Sequence, residues 1–519
     1  MSSIIRSFGN TALSTLASRV LGLVRDILMA RYFGAARTAD VFYISFMIPN
    51  LFRRLVAEGA LTISFIPVYT ESLIHDGEEE SLKLAQKVMT VQAFFMIIIV
   101  TLGILFAPLY MKLFFGRNDS PEIFSLSINL IRIMFPYLFF VGFVAFAMGY
   151  LNSHRRFFAP AFAPVLLNVA MITGIVFFSR LFEEPIYGVA LGVIFGGILQ
   201  YLIQIPYMIK EGFVFKISFD LSHPRIKKIF KMLTPALFGI AVYQINTIIS
   251  NLLATMISEG SVSYIYYTNR LTELVLGVFI VSIGNVILPE MSKLTAFDDK
   301  IRFNKLFSAS VSSALFLAVP ASIALIACGI PIISAIFMHG RFSYNDVVLT
   351  YYSLAAASSG IIFVAVLRIT TQAFYSMKDT KSPVISAAVS MIVNVTLGYI
   401  LMQTPLKHAG LTLANTLSAI VQMLILLTLL NKKTDAINIK KILISLIKFI
   451  IASIVMAAVI IFIGTFADWE NDSKAIKIIF LTVIVFSGIT IYFVLCYILK
   501  CNEMVYLADK IKQRLNPLT

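Results

Sequence analysis

The stretch ILISLIKFIIASIVMAAVIIFIGTF, residues 442–466, carries a single charge, Lys448, in 25 residues. Helical at 1.5 Å per residue, it exceeds the ~30 Å hydrocarbon core of a bilayer, and Lys448 lies close enough to one end to snorkel. Reading outward from it finds about fourteen such runs, near 10–33, 41–73, 85–115, 123–150, 160–180, 187–209, 230–257, 263–291, 304–337, 346–376, 384–402, 409–430, 442–466 and 475–499. Open sheets cannot satisfy their edges in lipid, and no ten-residue alternation of a membrane barrel is present. The expected fold is therefore an all-α polytopic membrane protein with about 14 transmembrane helices. The composition agrees: 59% of 519 residues are hydrophobic and 13% charged, which excludes an ordinary soluble domain.

Charge sets the orientation. The excess of 42 Lys and Arg over 27 Asp and Glu gives +15, which in a soluble chain would suggest nucleic acid. Here it follows the loops. With a cytoplasmic N-terminus, 25 basic residues fall inside and 9 outside, so both termini are expected in the cytoplasm and no nucleic-acid partner is implied. The basic end, Lys510, Lys512 and Arg514, is expected to meet anionic headgroups. Arg19, Arg25 and Asp26 interrupt the first apolar stretch, so the N-terminus is expected to stay as a helix and not to be cleaved. Three cysteines make no disulfide framework.

An internal repeat organises the chain. Pro67 and Pro289, Gly188 and Gly410, and Gln200 and Gln422 are each 222 residues apart, and Pro164 and Pro383 are 219 apart. Six spans separate the copies; six is even, so both halves keep one orientation, related by an axis along the membrane normal. The expected units are an N-lobe at 1–215 (spans 1–6), a C-lobe at 216–432 (spans 7–12), and spans 13–14 with the basic tail at 433–519.

Eight basic residues lie within spans: Arg19, Arg25, Arg53, Arg54, Arg132, Arg270, Arg368 and Lys448. A charge at mid-bilayer costs ~2.5–3.5 kcal/mol on insertion scales, so each needs a partner or a wet cavity. Arg19, Arg25 and Asp26 share the first helix. Arg54 and Glu58 are four apart beside Arg53, and Arg270 stands three before Glu273. The set describes a cation-rich chamber with few acids, suited to the oxygens of a phosphate or diphosphate. Arg132 and Arg368 read equally well as structural or snorkelling residues. Prolines 49, 67, 136, 289, 320 and 331 can kink helices that rock.

Enzyme readings find little support. His75, His154, His223, His339 and His408 fall in loops or at span ends with no metal-ligand spacing, so no metal centre or cofactor is expected. Without G-x-x-x-x-G-K-[ST], active transport would draw on a sodium or proton gradient or on the membrane potential.

The runs TLASRVLGLVRDILMARYFGA and TADVFYISFMIPNLFRRLVAEGALTISFIPVYTE resemble the opening helices of the MurJ (MviN) family of lipid II flippases, within the multidrug/oligosaccharidyl-lipid/polysaccharide exporter superfamily. GSVSYIYYTNRLTELVLGVF, SIGNVILPEMSK and LKHAGLTLA extend the resemblance through span 12. It implies movement of lipid II, an undecaprenyl-diphosphate-linked disaccharide pentapeptide, from the cytoplasmic to the outer leaflet of the bacterial inner membrane by alternating access, for peptidoglycan synthesis. Its implied surroundings are membrane lipids and the peptidoglycan-synthesis machinery. It also implies that the cavity arginines are Arg19, Arg25, Arg53 and Arg270, accompanied by Asp26, Asp40 and Glu58, and that spans 13–14 form a groove for the isoprenoid tail. Where relatives often have Asp, this chain has Asn269, which shifts an acidic role toward Glu273. Asn246, Asp379 and Asn394 are the polar candidates for the sodium site of some relatives. Rival readings are a flippase for an O-antigen or exopolysaccharide unit, a cation-coupled drug exporter, and a membrane glycosyltransferase or ligase.

Overall fold

The computed structural model describes residues 2–54, 61–116, 119–277, 281–434, 439–506 and 509, and among them finds helices and no strands. Glu58 and the basic end Lys510, Lys512 and Arg514 lie outside the described residues. The chain divides into two compact units, Met1–Ser263 and Tyr264–Thr519.

The first unit holds α1 (Ser2–Phe33), α2 (Arg37–Arg53), α3 (Leu61–His75), α4 (Gly77–Leu105), α5 (Ala107–Phe115), α6 (Pro121–Met134), α7 (Tyr137–Ser153), α8 (Phe158–Val176), α9 (Ile186–Leu202), α10 (Ile205–Lys210) and α11 (Pro224–Thr255). It closes in the first turn of α12 (Ser261–Val275). The second continues with α13 (Val281–Ala296), α14 (Lys300–Ala327), α15 (Gly329–Phe337), α16 (Tyr344–Ser359), α17 (Ile361–Ser376), α18 (Lys381–Leu401), α19 (Lys407–Thr434), α20 (Ile439–Gly464) and α21 (Lys474–Ile498).

Among the described residues, nine helical segments are long and apolar enough to cross a membrane, or ten if α16 and α17, bent by 41°, count as one. The other four expected spans, covered by α1, by α2 and α3, by α11, and by α12 and α13, are helical but fall outside that set. Three of the four carry the arginines Arg19, Arg25, Arg53 and Arg270. Helices of this kind cannot turn their charged faces to lipid, so those faces need protein or water against them. The opposite extreme is α21, of whose most apolar window only 17% is buried, against 61% for α6–α7.

Small residues set the closest approach in the first unit. Along α9, Gly188, Gly192 and Gly196 repeat every fourth residue, the spacing that lets two membrane helices touch backbone to backbone. A Cβ on Gly192 would stand 2.8 Å from the carbonyl oxygen of Ala170 on α8, and one on Gly174 would stand 2.6 Å from that of Gly188. α8 in turn carries α1 on its flank. An aromatic core of Phe65, Tyr69, Phe146 and Tyr150 joins α3 to α7.

In the second unit α14 packs on α17 and α20, and α20 on α21. Phe316, Phe449 and Tyr492 form the junction, and the Tyr492 hydroxyl donates to the carbonyl of Phe316 at 2.7 Å. Of the prolines, Pro136 falls in the break between α6 and α7 and Pro331 in the first turn of α15, whereas Pro49, Pro67, Pro289 and Pro320 lie within helices that continue through them.

Candidate functional site

Arg25 is the best-defined of the intramembrane arginines. Its Nε and Nη2 donate to Oδ1 of Asp26 at 3.0 and 2.7 Å, and its Nη1 donates to Oδ1 of Asn168 on α8 at 3.2 Å. The Asp26 carboxylate is fully buried, and the guanidinium is 11% exposed. Asn168 is oriented from behind: its amide donates to the carbonyl oxygens of Ser18 at 3.0 Å and Pro164 at 3.2 Å. A fork-shaped cation is thereby fixed in direction by a carboxylate on its own helix and an amide on α8. Asn168 is a site residue the sequence reading passed over. The signal was there, since an Asn inside an apolar run seeks an interhelical partner.

Arg19, two turns earlier on α1, is half-buried. Arg53 ends α2, where its Nε donates to Oδ1 of Asn50 at 2.7 Å, and Arg54 beside it is half-buried. In the second unit Arg270 is half-buried on α12, with Asn269 and Glu273 exposed on either side. Arg132 and Arg368 are exposed; Arg132 donates to the carbonyl of Ile104 at 3.4 Å.

Asp40 stands at the opposite end of α2 from Arg53. It sits in the first turn of α2, about 20 Å along the helix from Arg53 at 1.5 Å per residue. Fully buried, it accepts from the backbone N–H of Gly260 at 2.8 Å and from the N–H and hydroxyl of Ser263 at 2.8 and 2.6 Å. It acts as a cap for the start of α12. Burial pushes its carboxyl up to about 7, against the opposing pull of those bonds and of Arg37. Arg37 organises the same corner: it grips Asp119 with Nε and Nη2, both at 2.7 Å, and its guanidinium lies 5.1 Å from the centre of the Phe115 ring.

Two of the sodium candidates, Asp379 and Asn394, stand apart along one helix. Asp379 precedes α18, where it accepts from the N–H and hydroxyl of Ser382 and pairs with Lys433. Lys433 holds its carboxyl well below the usual range. Asn394 is buried more than three turns further along the same helix, about 20 Å away by helical rise, so one ion cannot touch both. Asn246 is half-buried on α11 of the first unit. Among the described residues no three His, Cys, Asp or Glu side chains are grouped to hold a metal.

Known proteins agree with this architecture. A solved lipid II flippase MurJ in an inward closed conformation superposes with a TM-score of 0.78 at 28% identity, covering 94% of this chain and 98% of that one. An inward-facing multidrug transporter of the MATE family shares the fold with a TM-score of 0.69 at 15% identity, over 81% of this chain and 95% of that one. The lipid II flippase MurJ of Burkholderia cenocepacia is 35% identical over 424 residues, 81% of this chain and 82% of its own. The family profile described as lipid II flippase MurJ matches residues 29–492, which takes in Arg53 and Arg270 and begins just after Arg19 and Arg25, and since this is well over half of the sequence the chain belongs to the lipid II flippase MurJ family.

Proposed function

We propose that this protein is a transporter, not an enzyme, and that it carries lipid II from the cytoplasmic to the outer leaflet of a bacterial inner membrane by alternating access. The observation that carries the reading is the match to the flippase family over residues 29–492, in a chain whose polar helices hold buried or half-buried arginines. In this reading fourteen helices cross the membrane with both termini in the cytoplasm. Spans 1–6 (1–215) and 7–12 (216–432) are the two lobes, and spans 13–14 (433–519) receive the isoprenoid tail. Arg19, Arg25, Arg53 and Arg270 hold the diphosphate, with Asp26, Glu58 and Glu273 balancing charge near them. Asp40 acts apart from the clamp: its bonds to Gly260 and Ser263 fasten one end of the cycle and open in the other.

A diphosphate is bound best by fixed forks, because each bidentate bond to guanidinium adds direction as well as energy. Release on the far side then requires the lobes to move the forks apart, which a sodium or proton gradient or the membrane potential would drive. Depletion of the protein in its host is the direct test. Lipid II should accumulate on the cytoplasmic side, shielded from an externally added lipid II-cleaving enzyme. Unchanged exposure of lipid II to that enzyme, with accumulation of a different isoprenoid-linked sugar, would reassign the substrate.

A further inference from the structure

A cavity of about 330 Å³ opens where the first turns of α20 meet the end of α21, within the ~300–1,000 Å³ range of small-molecule sites. Lys440, Ser445 and Lys448 line one side and Asn502 the other, and Ile444 and Phe449 form the apolar wall. Among the described residues two ammonium groups and no carboxylate line the cavity, and against the single Glu503 that follows Asn502 the balance favours an anion.

The site is built by the way α21 ends. Lys500 takes a left-handed backbone conformation, with φ of 51°, and the N–H of Cys501 returns to the carbonyl of Cys496 at 2.9 Å. That reversal presents the carbonyls of Leu499 and Lys500 to α20, where Nζ of Lys448 donates to them at 2.9 and 3.3 Å. An ammonium has three donors. Two are spent fixing it in place, and the third serves the cavity it lines. Lys440, exposed at the rim, supplies a second cation that can follow the ligand.

Position and surroundings narrow the anion. The apolar segments Ile442–Gly464 and Lys474–Ile498 end at this cavity, so it lies at the depth where a bilayer places its headgroups. Leu443, Ile447 and Ile451 continue from it along the outer face of α20, each about half exposed, as a track for acyl chains. We propose that the cavity binds the phosphodiester of an anionic glycerophospholipid, one charged oxygen on Lys448 and the other on Lys440, and so holds α20 and α21 to the headgroup plane. Inorganic phosphate shares this recognition chemistry, and the test separates the two.

The full-length protein in detergent, titrated with phosphatidylglycerol or phosphatidylcholine and read by native mass spectrometry, should retain one phosphatidylglycerol roughly tenfold more tightly, ~1.4 kcal/mol. The Lys440→Gln/Lys448→Gln pair should erase that preference, Lys448→Arg should keep it, and Lys440→Gln alone, a change at an exposed side chain, should weaken it severalfold in a folded protein. Lys293→Gln, at an exposed ion pair with Glu290 that does not line the cavity, should leave it unchanged. Millimolar inorganic phosphate should not displace the lipid. Preference surviving in the double variant, or displacement of the lipid by phosphate, overturns the proposal.

Discussion

Asp40 and Ser263 are joined twice, by the serine N–H at 2.8 Å and by its hydroxyl at 2.6 Å, although 223 residues separate them in the chain. Asp40→Asn keeps the shape but turns an amide N–H toward the N–H of Gly260 or the donors of Ser263, leaving a donor unpaired at a cost of about 1–3 kcal/mol. Asp40→Ala removes the cap altogether, for which about 0.5–2 kcal/mol is typical before cavity effects. Thermal unfolding of the purified variants should show both losses. The flipping assay should show lower turnover for each, since the proposed cycle makes and breaks these bonds.

Arg25 and Asp26 make a different prediction. Removing one partner of a buried ion pair typically costs about 3–5 kcal/mol, because the other charge is left behind. Arg25→Ala should therefore lower both thermal stability and complementation of a depleted strain. Arg53→Ala, on a half-buried side chain bonded to Asn50 of its own helix, should lower complementation with far less loss of stability. Full complementation by either variant would remove that arginine from the clamp.

The glycine stripe on α9 can be tested without touching any charge. Gly192→Ala places a methyl 2.8 Å from a backbone oxygen that cannot swing aside, and overpacking of this kind costs about 1–3 kcal/mol. Because α8 would shift, Asn168 would lose its register on Arg25, so transport should fall along with the melting temperature. Gly464→Ala is the control: its new methyl would meet nothing nearer than Ile484 at 3.9 Å and should be close to neutral.

His408 makes a packing prediction. The ring is 3% exposed, Nε2 lies 2.9 Å from the carbonyl oxygen of Leu349, and Tyr264 packs on it with centroids 5.0 Å apart. Tyr264 in turn donates to Asp346. His408→Ala removes a buried, hydrogen-bonded ring and should cost about 1–3 kcal/mol, read as a lower melting temperature of the purified variant.

The fold class was legible because a bilayer-spanning helix is an average over about 20 residues, which no single residue can overturn. The residues that break that average, Arg19, Arg25, Arg53 and Arg270, are for the same reason the ones that stood out as a site. Pair identities were less visible. Asp40 appeared as one more acid of the chamber, and only the folded chain brings it to Gly260 and Ser263. Asp379 and Asn394 looked like two donors for one ion, but one helix holds them apart and Lys433 takes the first. Such contacts depend on helix packing across more than fifty residues of sequence, which local pattern does not encode. The break at Phe106 between α4 and α5 likewise escaped notice, since both helices are apolar and read as one span.

The bond between Arg25 and Asn168 also sets a timetable for biogenesis. The two residues are 143 positions apart, so at ~5–20 residues per second the ribosome needs roughly 7–30 s to deliver the second after the first. Through that interval α1 has left the ribosome without the helix that will receive its guanidinium. Insertion of this protein therefore calls for an environment that can shelter a polar first helix, at the insertion machinery or in the interface, until α8 arrives to claim it.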